Sequence, residues 1–106
     1  MLDFDAYLAR IGIGERPDLP ELHRAHTEAI PFENLDPRRG IPVSLELEDL
    51  ERKLVADRRG GYCFEQNLLL KAALEALGVA NVELFLARVR VGAAPGDPRP
   101  RTHLLL

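Results

Sequence analysis

The sequence has a single cysteine, no long apolar run and no concentration of basic residues, and each shortage excludes a class of protein. One cysteine cannot form an internal disulfide, so the chain is not a disulfide-stapled secreted domain, and a reducing cytosol suits it best. Residues 1–5 contain acids instead of a basic stretch, and no run approaches membrane-spanning length. A net charge of −3, with arginines scattered along the chain, argues against nucleic-acid binding.

What is present is a globular composition with helical patterning over most of its length. The 106 residues are 46% hydrophobic and 29% charged, as in one ordinary domain or slightly more. Apolar residues at helical spacing predict helices over 3–11, 18–29, 44–57 and 63–77. The last of these is apolar on more than one side, so we expect it at the centre of a small bundle.

The segment from Pro31 to Pro42 is predicted to be a loop. It contains three prolines and a glycine, which interrupt regular structure. The apolar residues Ile30, Phe32 and Leu35 make it unusual for a loop. We therefore expect it to pack inward.

The end of the chain changes character to strand-like alternation. Residues 82–91 and 102–106 predict two strands, joined by a loop rich in proline and glycine over 92–100. The final three leucines form an apolar strand with no polar turn after them. An unpaired strand edge favours association. We therefore expect that the sequence is cut off, and that this edge self-associates or accepts a complementing C-terminal segment.

Cys63 stands where a doubly basic, glycine-containing turn meets the fourth predicted helix. A free cysteine is often only a small buried hydrophobe. Here Gly60 and Gly61 precede it and allow close approach of a ligand to the backbone. A helix N-terminus with cations nearby, here Arg58 and Arg59, also stabilises a thiolate. The pattern favours covalent chemistry at Cys63.

A cysteine nucleophile needs a base, and the chain has three histidines. His23 and His26 lie one turn apart on a predicted helix, where a partly exposed pair without a metal is the simplest interpretation. His103 lies on a predicted strand, from which its side chain can project toward a helix end. Sequence separation alone neither supports nor excludes its pairing with Cys63.

Three segments of the chain together resemble the arylamine N-acetyltransferases. They are Pro31-Phe32-Glu33-Asn34-Leu35, Arg59-Gly60-Gly61-Tyr62-Cys63-Phe64-Glu65 and Thr102-His103-Leu104. Their order and spacing are similar to those of the family, whose members contain a helical bundle, a β-barrel and an α/β lid. The resemblance implies an α+β fold of the cysteine-proteinase-like superfamily, with a helical bundle over 1–79 that carries the nucleophile. The start of a truncated β-barrel would follow over 80–106.

The resemblance also implies a reaction and a role for each matched residue. Acetyl-CoA would donate an acetyl group to a small-molecule amine, an arylamine or arylhydrazine, through an acetyl-cysteine intermediate and without a metal. Cys63 matches the nucleophile and His103 the base paired with it. Arg59 matches a residue that supports the active-site loop, and Gly60 and Gly61 keep that loop tight. The substrate-pocket positions are Phe32 and Tyr62.

The chain also departs from the family pattern. The family's third catalytic residue is an aspartate beyond the histidine strand, and none follows His103 here, while Asp97 comes too early and lies in a loop. Because such a carboxylate orients the imidazole, we expect the chain by itself not to turn over acetyl-CoA. Glu33, Asn34 and Glu65 are interpreted as structural, since such groups mostly satisfy backbone groups near helix ends.

Other interpretations remain open. In one of them, the chain is a non-catalytic helical module for binding or assembly, with Cys63 as a relic. A papain-like or transglutaminase-like enzyme would also place a cysteine at a helix start. The string around Cys63 argues against this last interpretation. Some relatives of the acetyltransferases form amides in macrocyclisation instead.

Overall fold

The chain folds into a helical bundle followed by one pair of antiparallel strands. The computed structural model describes residues 1–106. The helices are α1 (Phe4–Ile11), α2 (Leu19–Ala29), α3 (Leu35–Arg38), α4 (Leu47–Leu50), which continues as a π-helical segment (Glu51–Ala56), and α5 (Cys63–Leu77). The strands are β1 (Phe85–Arg88) and β2 (Arg101–Leu105). The α+β class expected from the sequence is confirmed.

Local capping determines where three of the helices begin or end. The carboxylate of Asp3 accepts a hydrogen bond from Ala6 N at 3.0 Å, and that of Asp18 accepts one from Glu21 N at 2.9 Å. Gly78 ends α5 in the left-handed conformation, at φ 100°. These ends agree with the sequence prediction.

Helix α5 is the centre of the bundle, as predicted. It packs against α1, α2, α4 and β2. The fully buried side chains at the centre belong to α1, α2, the π-helical segment and α5: they are Tyr7, Leu22, Leu54, Leu69 and Ala73. No helix of the structure is both long and apolar enough to cross a bilayer.

The segment over 31–42 differs from the prediction in two ways. It contains a single helical turn, α3, instead of loop throughout. Ile30, directly before the segment, packs into the core as expected at 2% exposed, but Phe32 is 68% exposed and Leu35 49% exposed. Asp36 is the residue that is buried, so polar contacts and backbone pairing attach this segment to the bundle.

The helix predicted over 44–57 is shorter and changes its winding. Ser44 stays outside the helix, where its hydroxyl donates to Asp49 Oδ2 at 2.6 Å and accepts from Glu46 N at 3.3 Å. The second part is π-helical, and beyond it Asp57 N still donates to Arg52 O, five residues earlier, at 2.8 Å. A hydrophobic pattern of helical period does not distinguish these windings.

The strand pair is shorter than predicted and largely exposed. Residue 85 pairs with 105 and residue 87 with 103, and an irregularity follows at Arg88. Phe85 and Leu86 are each about half exposed, whereas Leu104 is buried against the bundle. The predicted strand over 82–91 is wrong outside 85–88, because alternation alone does not supply pairing partners.

Candidate active site

Cys63 is the first residue of α5. The first helical hydrogen bond runs from Gln66 N to Tyr62 O at 2.9 Å. The backbone N–H groups of Cys63, Phe64 and Glu65 lie before this first bond and donate to no backbone carbonyl. Their N–H groups and the helix dipole favour a negative charge at this end. This position suits a thiolate or an oxyanion.

Strand β2 lies against the first turns of α5. Cys63 is 6% exposed, and its Sγ lies 3.8 Å from the carbonyl oxygen of Thr102. Asn67 Nδ2 donates to Leu104 O at 2.7 Å and so fastens the strand to the helix. His103 lies between these two contacts. No hydrogen bond joins Cys63 Sγ to the His103 ring, so the structure brings the two residues to one helix end without pairing them.

His103 and Phe32 line a common cavity of about 270 Å³. The other lining residues are His23, His26, Thr27, Ile30, Gln66, Asn67 and Leu70. Of the two predicted pocket residues, Phe32 therefore lies beside His103. Tyr62 does not line this cavity, and its ring packs against Phe64 with the centroids 5.6 Å apart. No group of three or more potential metal ligands occurs in the structure.

The two glycines lie in a closely paired backbone segment. Phe32 and Gly61 form an isolated parallel bridge, in which Glu33 N donates to Gly61 O at 3.0 Å and Gly61 N to Pro31 O at 3.2 Å. A Cβ at Gly60 would lie 2.0 Å from Pro31 O. Only glycine fits there, which explains the tight segment before the cysteine.

Arg59 holds the segment over 31–38 through carboxylates. Its guanidinium donates to both oxygens of Asp36, at 3.0 and 3.1 Å, and to Glu33 Oε2 at 3.3 Å. Hydrogen bonds from Arg59 and then from Lys53 lower the pKa of Asp36 to about 2. The arginine that the sequence places near the thiol is therefore paired with two carboxylates.

A buried series of hydrogen bonds supports the backbone at Pro31 and Gly61. Gln66 Nε2 donates to the carbonyls of Pro31 and Gly61, at 2.9 and 3.2 Å. Its Oε1 must then accept from His26 Nε2, 2.8 Å away. His26 Nδ1 accepts from the hydroxyl of Tyr7 at 2.7 Å. The proton on His26 therefore lies on Nε2, and in the neutral imidazole Nδ1 is free to accept from Tyr7.

The two histidines of α2 differ in environment. His23 is exposed, as predicted, but His26 is 4% exposed, so the prediction of a partly exposed pair is wrong for His26. Burial lowers the pKa of His26. The neutral form fits both of its hydrogen bonds.

Arg10 and Lys53 are two further buried or nearly buried cations that sequence reasoning missed. Arg10 donates to the carbonyls of Leu54 and Ala29, at 2.7 and 3.0 Å. Lys53 Nζ lies 2.9 Å from Asp36 Oδ2. Both sit on helical segments, and no local pattern distinguishes them from exposed charged residues.

The comparisons with known proteins agree with this arrangement. The family model described as N-acetyltransferase matches residues 17–106. The arylamine N-acetyltransferase of Mycolicibacterium smegmatis is 50% identical over 99% of this chain. An arylamine N-acetyltransferase / N-hydroxyarylamine O-acetyltransferase of Salmonella typhimurium is 44% identical over 95% of the chain. The match spans 40% of the first relative and 37% of the second.

Solved structures give the same relationship. An M. smegmatis arylamine N-acetyltransferase has a TM-score of 0.87 at 49% identity, covering 97% of this chain and 40% of its own. The Mycobacterium marinum enzyme in complex with CoA has a TM-score of 0.86 at 45% identity, covering 96% of this chain and 40% of its own.

These matches define the chain first as an N-acetyltransferase domain segment. More narrowly, it belongs to the arylamine N-acetyltransferase family and spans about 40% of the length of the curated relatives it matches.

Proposed function

We propose that this chain is the nucleophile-bearing part of an arylamine N-acetyltransferase. It would transfer acetyl from acetyl-CoA to an arylamine or arylhydrazine through an acetyl-cysteine at Cys63. The observation that carries the proposal is the position of Cys63 at the start of α5, beside the strand that bears His103. The CoA complex of the M. marinum relative supports acetyl-CoA as the donor.

The chemistry divides one acyl transfer into two steps. In the first, His103 accepts the thiol proton and the Cys63 thiolate attacks the thioester carbonyl. The C–S bond to CoA breaks, and the leaving thiolate takes that proton from the imidazolium. In the second, an amine attacks the acetyl-cysteine, its N–H proton passes to His103, and the Cys63 thiolate leaves. The amides at the start of α5 would stabilise both oxyanions.

The remaining matched residues would position these groups. Gly60 and Gly61 keep the nucleophile segment in its backbone bridge, and Arg59 ties that segment to two carboxylates. Phe32 would form an apolar wall of the acceptor cavity beside His103. We also assign Tyr62 to the substrate region and a cytoplasmic location to the protein. The exposed edge formed by β1 and β2 would be the surface for self-association or for a complementing C-terminal segment.

The lone cysteine allows the proposal to be tested by labelling. We expect iodoacetamide to alkylate Cys63 faster than free cysteine at neutral pH, His103→Gln to slow this reaction, and Cys63→Ala to abolish it. Labelling no faster than free cysteine would contradict the proposed Cys63–His103 pair. The 106-residue chain alone should not turn over acetyl-CoA with an arylamine. Robust turnover that Cys63→Ala abolishes would contradict the expected inactivity of these 106 residues by themselves.

A second candidate function is a non-catalytic binding or assembly module. The observation that favours it is that Cys63 is buried and contacts a backbone carbonyl instead of an imidazole. It predicts slow alkylation that His103→Gln does not change. The same labelling series therefore separates the two candidates.

A further inference from the structure

Lys53 joins two parts of the site that are separate in sequence. Its ammonium lies 2.9 Å from Asp36 Oδ2 and 2.7 Å from Glu65 Oε2. The side chains of all three residues are nearly buried, with exposures of 15% for Lys53, 12% for Asp36 and 1% for Glu65. One cation thus connects α3 to the first turn of α5.

Glu65 transmits this contact to the turn before the cysteine. Its other oxygen, Oε1, accepts a hydrogen bond from Tyr62 N at 3.2 Å. The same oxygen would lie 2.9 Å from a Cβ at Gly61, so the carboxylate is packed directly against that residue. The position of Glu65 therefore determines the geometry of the backbone that leads into Cys63.

No other cation supports Glu65. Arg59 pairs with Glu33 and Asp36, whereas the only ion pair of Glu65 is with Lys53. A buried carboxylate without its partner is strongly disfavoured and must protonate or move toward water. Burial opposes the charged form of Lys53, but its hydrogen bonds with Glu65 and Asp36 outweigh this and raise its pKa.

The backbone of Lys53 holds the same segment. Lys53 lies in the π-helical stretch Glu51–Ala56, a rare winding that often occurs at functional sites. Its carbonyl accepts a hydrogen bond from Arg59 N at 3.0 Å. Both the side chain and the main chain of this residue therefore restrain the stretch from Arg59 to Cys63.

We propose that Lys53 is a positioning residue for Cys63 and acts through Glu65. It holds the Glu65 carboxylate in place, and the carboxylate fixes the turn that aims the thiol at the α5 amides and His103. The inference rests on the proposed function, because it assigns a support to that nucleophile.

The test compares the alkylation of Cys63 by iodoacetamide, as a function of pH, in Lys53→Met and Lys53→Arg. In Lys53→Met we expect the rate at pH 7 to fall about tenfold and the rate profile to move to higher pH, since reactivity follows the thiolate. Lys53→Arg should recover most of the rate, because a guanidinium can also pair with both carboxylates. Arg52→Met, in the same segment but 66% exposed, is the matched control and should leave the profile unchanged.

A second comparison removes any dependence on how well Lys53→Met folds. Glu65→Gln keeps an oxygen for Tyr62 N but has no charge, so adding Lys53→Met to it should change the alkylation rate less than twofold. A folded Lys53→Met with the unchanged profile would overturn the inference, as would a tenfold further loss in the double variant. Slow alkylation of the unmodified chain would count against the proposed function instead, so the two failures are distinguishable.

Discussion

Gly60→Ala tests how closely the segments around Cys63 must approach one another. A Cβ at this position would lie 2.0 Å from the carbonyl oxygen of Pro31 and 2.9 Å from Glu33 Cγ. The first contact is with backbone, which cannot rotate away as a side chain can. The substitution must therefore push the Pro31 strand away from the glycine segment.

The size of the effect follows from the contacts that this movement strains. Overpacking typically costs about 1–3 kcal/mol. Separation also disrupts the bonds from Gly61 N to Pro31 O and from Glu33 N to Gly61 O, each contributing about 1 kcal/mol. We expect a loss of about 4 kcal/mol, a large part of the about 5–15 kcal/mol that stabilises an ordinary domain.

Urea unfolding followed by circular dichroism measures this loss, and Gly14→Ala provides the matched control. A Cβ at Gly14 meets nothing within 4 Å, so that variant should be neutral or slightly stabilised. At low urea, the rate at which iodoacetamide alkylates Cys63 should change in Gly60→Ala and stay the same in Gly14→Ala. Equal unfolding midpoints for the two variants would refute the close packing on which the argument depends.

Three further predictions concern stability. Burial lowers the pKa of His26, so below about pH 6.5 the unfolded chain binds a proton that the folded chain does not. The free energy of unfolding should therefore fall as the pH drops below about 6.5. His26→Gln should reduce this pH dependence of the urea midpoint. Hydrogen bonds from Arg59 and Lys53 hold the pKa of Asp36 at about 2. The stability that ionised Asp36 contributes should be fully present above pH 3.8 and lost as the pH falls toward 2. In acid unfolding of Asp36→Asn, this loss of stability should be absent. Leu54→Ala, at a fully buried position, should cost about 2–5 kcal/mol, whereas Leu45→Ala, at a 40% exposed position, should change urea stability by about 0.5 kcal/mol or less.

Features determined by neighbours in sequence were predictable. The start of α1 follows from Asp3 and the end of α5 from Gly78, because capping involves groups only a few residues apart. The position of Cys63 at a helix start was predictable for the same reason. The proximity of Cys63 to the strand that bears His103 was expected only from the family resemblance. The sequence between these two residues contains no pattern that predicts it.

Features determined by distant partners were not predictable. His26 looks like any helix-face histidine until Gln66 and Tyr7 are placed beside it. The loop that carries Phe32 is predicted to pack inward, but the structure holds it by backbone pairing and by carboxylates, so the Phe32 ring is left exposed at the cavity. Hydrophobicity alone does not indicate that a segment is fastened by its polar groups.

The pairing of Arg59 changes the account of how a thiolate would be favoured at Cys63. Because its guanidinium faces Asp36 and Glu33, most of its charge is balanced before it can act on the sulfur. The N–H groups of Cys63, Phe64 and Glu65 at the start of α5 make no backbone hydrogen bond, and the His103 ring makes no hydrogen bond to another residue. Any special reactivity of Cys63 should therefore depend on the helix end and the imidazole. Neutralising Arg59 should act on the stability of the loop much more than on the charge state of the thiol.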